Sequence, residues 1–329
     1  MAQVLNQQAI KQRITFAFAG ISIFVLMQNH FGEIAGVLTA VFWTVTSLAF
    51  ESAGKKVGSL SVNLIRLVMA FFFIGLYSWI VRGFFFPGDA NWFQWRWLAF
   101  SGLIGFVIGD LLLFQAFVVI GARISMLMMA LAPPFAALIG WLLLGEVLAP
   151  MSWLGMAITM CGIVIVILKR ETTEENGTVV KKIKSNYSVP GILLALGGAF
   201  GQAAGLVISK KGMGDYDAFS ATQIRVLTGI VGFSILFFFM RRWPKVWEAV
   251  QHASAMKRIT LGAFFGPFLG VSFSLLAVQH TQAGIAATLM AIVPVLIIGP
   301  AILLFNEKVN WKEILGAVIT VGGVAFFFL

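Results

Sequence analysis

Ten apolar segments, separated by polar gaps, constrain the fold of this chain more than any other feature. A helix that crosses a lipid bilayer needs about 20 mostly apolar residues, or ~17 at the short end. The segments that meet this criterion are 34–51, 62–82, 97–119, 123–144, 151–168, 189–209, 219–240, 259–279, 283–305 and 311–329. Because most gaps are short, consecutive helices are expected to run antiparallel. The sequence predicts an all-α, multi-pass membrane protein.

The composition agrees with a lipid environment. Hydrophobic residues make up 60% of the chain and charged residues only 11%, whereas a soluble domain has roughly 25% charged residues. The net charge of +10 comes from basic residues spread over the gaps. This distribution suits loops that face anionic lipid headgroups, and it does not indicate nucleic-acid binding. The expected location is the plasma membrane or inner membrane of a cell.

Three regions fall outside the apolar segments. Residues 169–188 form a polar linker, and residues 241–258 have the basic and tryptophan residues of an interfacial amphipathic stretch. In the N-terminal extension, residues 1–31, the apolar run 14–27 is short for a crossing. It is interpreted either as an interfacial helix or uncleaved extension, or as an eleventh crossing.

Lysine and arginine counts predict the orientation, because the richer side of a membrane protein faces the cytoplasm. Loops after the odd-numbered segments hold fifteen of these residues, and the opposite side holds six if 14–27 does not cross. The linker 169–188 is therefore expected in the cytoplasm.

The chain contains an internal repeat. At an offset of 161 residues, Pro133 aligns with Pro294, Glu146 with Glu307, and Gly155 with Gly316. The glycines at 105, 109 and 162 align with those at 266, 270 and 323, and at an offset of 159 Arg66 aligns with Arg225. Shared Pro, Glu and Arg at a nearly fixed offset indicate a duplication, with the first repeat at 32–168 and the second at 189–329.

Each repeat has five apolar segments, which is an odd number. The second repeat must therefore enter the membrane from the opposite face. Inverted repeats of this kind are a recurring basis of alternating access in secondary transporters.

Each repeat resembles an EamA domain of the drug/metabolite transporter superfamily. The resemblance rests on the arginine early in the second segment, the glycine-rich third segment and the proline of the fourth. It also rests on the glutamate that ends the fourth segment and the glycine of the fifth.

The resemblance implies a ten-helix transporter whose central cavity moves small metabolites, often outward. Members usually begin in the cytoplasm, which disagrees with the charge count unless residues 14–27 cross the membrane.

Asp110 is the most informative single residue, because ionisable groups inside a membrane span are costly. It lies midway through the segment 97–119, and Phe114, on the same helical face, and Gln115 follow it. Its repeat mate is Val271. Asp110 is either a proton-coupling or cation-binding group in a cavity, or a buried carboxylic acid that is neutral or paired with a neighbouring donor.

Other polar residues have two interpretations each. Arg66 and Arg225 either reach lipid headgroups or cap a helix, or they anchor an anion at a cavity mouth. Glu146 and Glu307 end their helices, where a structural or gating contact is favoured over substrate binding.

Further candidates lie near the middle of their segments. Trp43, Thr44 and Gln202 are polar-capable residues that could line a substrate pathway. Small residues around Gln202 favour close helix packing. A further set is expected to bend helices, namely Pro133, Pro134 and Pro294.

The favoured class is a secondary transporter of a small molecule. Proton coupling is an option, and the expected assembly is a monomer or a homodimer. Its cavity would be lined by the first, third, fourth, sixth, eighth and ninth segments. The alternative is a channel or a passive scaffold. An enzyme is disfavoured, since the three histidines are scattered, Cys161 is the only cysteine and no nucleophile or nucleotide motif is present. No metal site or cofactor is expected.

Overall fold

The computed structural model describes residues 30–129, 131–167, 173–175, 178–180, 188–296, 300 and 311–326. The N-terminal run 14–27 and Glu307 lie outside these residues. The first-repeat helices are α1 (Phe31–Val57), α2 (Ser59–Arg82), α3 (Trp92–Gly102), α4 (Asp110–Met129), α5 (Ala132–Leu144) and α6 (Pro150–Ile167). The second-repeat helices are α7 (Val189–Met213), α8 (Ala218–Met240), α9 (Trp243–Gln251), α10 (Ala253–Ala263), α11 (Val271–His280), α12 (Ala283–Met290), α13 (Val293–Leu296) and α14 (Trp311–Ala325).

Within these ranges, six helical stretches are long and apolar enough to cross a membrane. They are Phe31–Gly54, Ser59–Arg82, Trp92–Ala116, Val189–Met213, Ala218–Met240 and Ala253–His280. Shorter apolar helices occupy Ala132–Leu144, Pro150–Ile165 and Ile314–Ala325. The chain is therefore a multi-pass membrane protein. The count of ten crossings stays a prediction, because the segment 283–305 is described only in part.

Each repeat contains a seven-residue π-helix in its third segment. The first, π1 (Leu103–Gly109), joins α3 to α4, and the second, π2 (Phe264–Gly270), joins α10 to α11. The first and last residues of π2 lie 161 residues after those of π1, which is the offset of the sequence repeat. Stretches of π-helix are rare and occur often at functional sites. The two repeats thus share an uncommon backbone feature as well as sequence landmarks.

Helices α2 and α8, which are equivalent in the two repeats, pack antiparallel to each other. A Cβ placed on Gly229 would lie 2.9 Å from Leu67 Cδ1, while the Tyr77 and Phe219 rings lie 4.1 Å apart. Residues later in α2 therefore contact residues earlier in α8, so the two helices run in opposite directions. Helices α6 and α14 pack in the same antiparallel sense. Equivalent helices that run in opposite directions establish that the repeats are inverted.

Close backbone contact joins α7 of the second repeat to π1 of the first. A Cβ on Gly201 would lie 2.8 Å from Gly109 Cα, and a Cβ on Gly205 would lie 2.8 Å from Gly105 Cα. Only residues without a side chain permit this approach, as in other membrane helix pairs.

The inverted counterpart of this contact joins α1 to π2. A Cβ on Gly266 would lie 2.6 Å from Thr46 Oγ1, and one on Gly270 would lie 2.6 Å from Trp43 Nε1. The first helix of each repeat therefore packs against the π-helix of the other repeat, which interlocks the two halves.

The polar regions have more regular structure than the sequence predicts. The linker 169–188 contains a short antiparallel hairpin of β1 (Thr173–Glu175) and β2 (Thr178–Val180), in which Thr173 is opposite Val180. In the stretch 241–258, α9 places Trp243 and Trp247 on its exposed surface. This arrangement fits an interfacial helix, because tryptophan is enriched at membrane–water interfaces.

The boundary between the third and fourth segments differs from the sequence prediction. Helix α4 continues through 120–122 to Met129, and α5 begins at Ala132. Pro133 and Pro134 therefore lie in the first turn of α5 instead of bending a continuous helix. A proline fits there because the first amide groups of a helix need no intrahelical acceptor. Pro294 is the second residue of the short α13, which follows a break after α12.

Replacement of Gly205 by alanine should destabilise the protein, whereas the same change at Gly322 should not. The new Cβ at position 205 would lie 2.8 Å from the Gly105 backbone, and overpacking of this kind costs about 1–3 kcal/mol. A Cβ on Gly322, in α14, would have no heavy atom within 4 Å. Gly322→Ala should therefore stabilise the helix by about 0.5–1 kcal/mol. Thermal unfolding of the two variants in detergent measures both effects, and equal midpoints would contradict the close packing.

Candidate functional site

A buried charged cluster, formed by Asp110, Arg66 and Gln202, lies where the two repeats meet. Asp110 is the first residue of α4, directly after π1, and is 5% exposed. Arg66, on α2, donates a hydrogen bond to Asp110 Oδ2. Gln202 Nε2, on α7, donates to Asp110 Oδ1 at 2.5 Å and to the Gly105 carbonyl oxygen at 3.3 Å. The cluster therefore connects three helical segments of both repeats.

The environment of Asp110 matches the interpretation of a paired carboxylate. A carboxylate away from water needs an opposite charge and hydrogen-bond donors, since its desolvation is otherwise prohibitive. Arg66 supplies the charge and is itself only 8% exposed. The Arg66 guanidinium carbon lies 5.4 Å from the ring centres of Phe50 and Phe114. Phe114 and Asp110, which the sequence places on the same helical face, thus both interact with Arg66.

Arg225, the repeat mate of Arg66, has different surroundings. It is 4% exposed, and its guanidinium carbon lies 4.9 Å from the ring centre of Phe106. The Nε atoms of both arginines are buried without a hydrogen-bond partner, but only Arg225 has no carboxylate of the described residues within ion-pair distance. The burial of both arginines favours interaction with an anion over contact with lipid headgroups.

The remaining pathway candidates are distributed unevenly. Trp43 contacts Gly270, the last residue of π2. In the other half of the molecule, Gln202 lies beside Gly109, the last residue of π1, so Trp43 and Gln202 have equivalent positions. Thr44 is buried, and its hydroxyl donates to the Ala40 carbonyl oxygen at 2.8 Å, so its side chain is satisfied within α1. Gln115 is exposed and does not join the cluster.

Glu146 makes a contact between the repeats at one membrane face. Its Oε1 accepts a hydrogen bond from Lys210 Nζ at 2.5 Å, and its Oε2 accepts one from the Ala283 amide at 2.8 Å. Lys210 Nζ also donates to the Thr281 carbonyl oxygen at 2.6 Å. Glu146 therefore ties the end of α5 to α7 and to the start of α12. This geometry agrees with a structural or gating contact.

A second polar network at the same face was not anticipated from the sequence. Arg82, at the end of α2, contacts Asp89 and Ser220 and lies 3.6 Å from Asp217. The Tyr216 hydroxyl donates to Asp89 Oδ1 at 2.8 Å. We call the side with the Glu146 and Arg82 contacts the Arg82 face. Its acids and bases lie at helix ends and in loops of both repeats, so only their pairing in space distinguishes them from solvated charges.

The loop groups of this network hold their protonation states across ordinary pH. Partial burial disfavours the ionised form of Asp89, but hydrogen bonds from Tyr216 and Arg82 outweigh it and keep the pKa of Asp89 below its usual value. Burial, reinforced by the Asp89 carboxylate, raises the pKa of Tyr216 to about 12. The contribution of Asp89 to stability is lost only as pH falls through its lowered pKa. That of Tyr216 is lost only as pH rises through its raised pKa.

The opposite side, the Lys56 face, has weaker contacts between the repeats. Lys56 Nζ donates to Ser254 Oγ at 2.8 Å, and Arg258 donates to the Ser52 hydroxyl. Among the described side chains, no ion pair joins the repeats on this side. In the described part of the chain, ion pairs between the repeats therefore occur on the Arg82 face.

Two inverted helical repeats with a buried polar cluster between them are typical of membrane transport proteins. The chain belongs to the EamA-like transporter family, whose family model matches residues 30–168 and 189–329. This match confirms the resemblance seen in the sequence and places the protein in a family of transporters, not of enzymes.

Individual relatives are more distant. An uncharacterized transporter of Bacillus subtilis (strain 168), YdfC, is 24% identical over 231 residues, which is 69% of each chain. A solved crystal structure has a similar fold, with a TM-score of 0.68 over 91% of this chain and 96% of that one, at 19% identity.

Replacement by methionine should destabilise the protein at Arg66 but not at Arg225, the equivalent arginine of the second repeat. Arg66→Met leaves Asp110 buried without its opposite charge, and loss of one partner of a buried pair costs about 3–5 kcal/mol. Arg225→Met removes a cation that has no carboxylate partner among the described residues, so the free energy of unfolding should be unchanged or higher. Thermal midpoints of the purified variants test this, and equal destabilisation by both changes would contradict the assigned pairing.

Proposed function

We propose that this protein is a secondary transporter that exports a small metabolite across the cell membrane by alternating access between its inverted repeats. The observation that carries the proposal is the cluster of Asp110, Arg66 and Gln202, which joins both repeats at a buried position. A cluster that must form and break as the repeats move relative to each other can link substrate passage to conformation.

Asp110 is the proposed coupling group. Protonation would neutralise Asp110 and remove its charge–charge attraction to Arg66, which weakens a contact between α2 and α4. Its Oδ1 would also become a poorer acceptor for Gln202 of the other repeat. A proton taken up at this residue would thus loosen the interface between the repeats, as exchange of conformations requires.

The charge count and the ion pairs of the Arg82 face support export as the proposed direction. The larger number of basic residues assigns the Lys56 face to the cytoplasm. The outer, Arg82 face is then the one fastened by ion pairs between the repeats. Export consists of substrate entry from the Lys56 face, followed by release of these contacts.

Asp110→Asn should abolish export while the protein still reaches the membrane. The amide keeps the shape of the side chain but takes up no proton and carries no charge. Asp215→Asn, the same change at an exposed loop residue, is the matched control. Extracellular metabolites of cells that overproduce each variant are compared by mass spectrometry. Export by Asp110→Asn should fall to the level of cells without the protein. Unchanged export, with unchanged pH dependence, would contradict the coupling role.

A reversible crosslink across the Arg82 face should stop transport. Glu146→Cys and Lys210→Cys are introduced together with Cys161→Ala, because Cys161 is free and exposed. A bifunctional thiol-reactive crosslinker that contains a disulfide should abolish efflux of the exported metabolite, and cleavage of that disulfide by a reductant should restore it. A crosslink between Asn91→Cys and Gln94→Cys, both in the first repeat, should have no effect.

Continued efflux through the Glu146–Lys210 crosslink would exclude alternation at this face. Flux at channel rates would instead favour a channel.

A further inference from the structure

We infer that Arg225 binds the carboxylate of the transported substrate, and that this substrate is a small monocarboxylic acid with an apolar or aromatic remainder. The inference rests on the proposed function, since it concerns the substrate class of that same site. Four observations carry it: the charge balance of the cluster, the unmet hydrogen bonds of Arg225, the asymmetry of the repeats and the aromatic surroundings.

The charges around the cluster do not balance. Arg66 and Arg225 are both more than nine-tenths buried, and Asp110 is the carboxylate that contacts one of them. A buried charge is normally paired or hydrogen-bonded, because its transfer from water is otherwise very unfavourable. One buried positive charge therefore remains for an anion that the described part of the chain does not supply.

The hydrogen-bonding capacity of Arg225 is also unused. A guanidinium presents five N–H donors in a planar fork that matches a carboxylate. Among the described residues none accepts a hydrogen bond from the Arg225 side chain, and its Nε is fully buried. The Arg225 guanidinium lies beside the Phe106 ring and the Gly105 backbone, and the Asp110 charge is near enough to interact with it but accepts no hydrogen bond from it.

Comparison of the repeats shows what is missing at Arg225. In the first repeat Arg66 is paired with Asp110, the residue that directly follows π1. The residue that directly follows π2 is Val271, which has no charge. The two repeats thus share the arginine, but only the first has a carboxylate at this position. A substrate carboxylate would complete the second pair.

The surroundings exclude a second charge on the substrate. The Asp110 charge is already paired with Arg66, so a substrate ammonium group would have to compete with this arginine. A second carboxylate would lack a cation once Arg225 is occupied. Aromatic rings lie beside both guanidinium groups: Phe106 beside Arg225, and Phe50 and Phe114 beside Arg66. Gly105 beside the Arg225 Nη2 leaves room that any side chain would reduce, since a Cβ there would lie 3.2 Å from this nitrogen.

Direct binding of phenylacetate to the purified full-length protein in lipid nanodiscs tests the inference. Radiolabelled phenylacetate should bind saturably and should be displaced by unlabelled benzoate. The neutral phenylacetamide, the cationic phenethylamine and the zwitterionic phenylalanine should each compete at least about tenfold more weakly, because each lacks an anion or carries a charge without a partner. Equal competition by phenylacetamide or by phenylalanine would overturn the inference.

Two substitutions assign the binding to Arg225. Arg225→Gln should weaken phenylacetate binding by about 10- to 100-fold, the loss expected for a charge-assisted hydrogen-bonded pair. Arg225→Lys keeps the charge without the fork and should give an intermediate affinity, which also covers the case in which Arg225→Gln fails to fold. Arg96→Gln removes an exposed arginine and should bind as the unaltered protein does. Unchanged binding by the Arg225 variants would overturn the assignment.

The outcome separates this inference from the proposed function. A protein that exports metabolites but does not bind phenylacetate would refute the substrate class alone. A protein that binds phenylacetate through Arg225 but exports equally well with Asp110→Asn would refute the coupling role alone.

Discussion

Burial of a carboxylate between membrane helices is the constraint on which the centre of this protein depends. Asp110 requires a cation and a second donor, and these come from different elements, Arg66 on α2 and Gln202 on α7. Gln202 reaches Asp110 only because glycines on α7 and π1 let their backbones approach closely. The electrostatic pairing and the close packing therefore support each other, and both cross the boundary between the repeats.

Much of the architecture could be predicted from the sequence, because the signals are local or periodic. Apolar segment length gives the membrane class, and the fixed offset of Pro133 with Pro294 gives the duplication. An odd number of segments in each repeat then requires inversion, which the antiparallel packing of α2 with α8 displays. Even the selection of Asp110 needed only the rule that a charge inside a span is costly.

What the sequence did not predict depends on tertiary contact. Gln115 and Gln202 have the same chemistry, yet only Gln202 faces the carboxylate, because helix rotation and packing decide which side is buried. The partners of Arg82 come from loops far apart in the chain, so no sequence spacing indicates them. A proline such as Pro133 can either bend a helix or occupy its first turn, and the sequence does not distinguish the two. The structure does, because α5 begins at Ala132.

The difference between Asp110 and its repeat mate Val271 has an energetic consequence for the proposed cycle. Two identical inverted repeats would make the inward-open and outward-open states mirror each other, and the two would then be equal in free energy by symmetry. Asp110 on one side and Val271 on the other remove this degeneracy. The empty protein would then have a preferred resting orientation, to which this difference between the halves contributes at the centre of the protein.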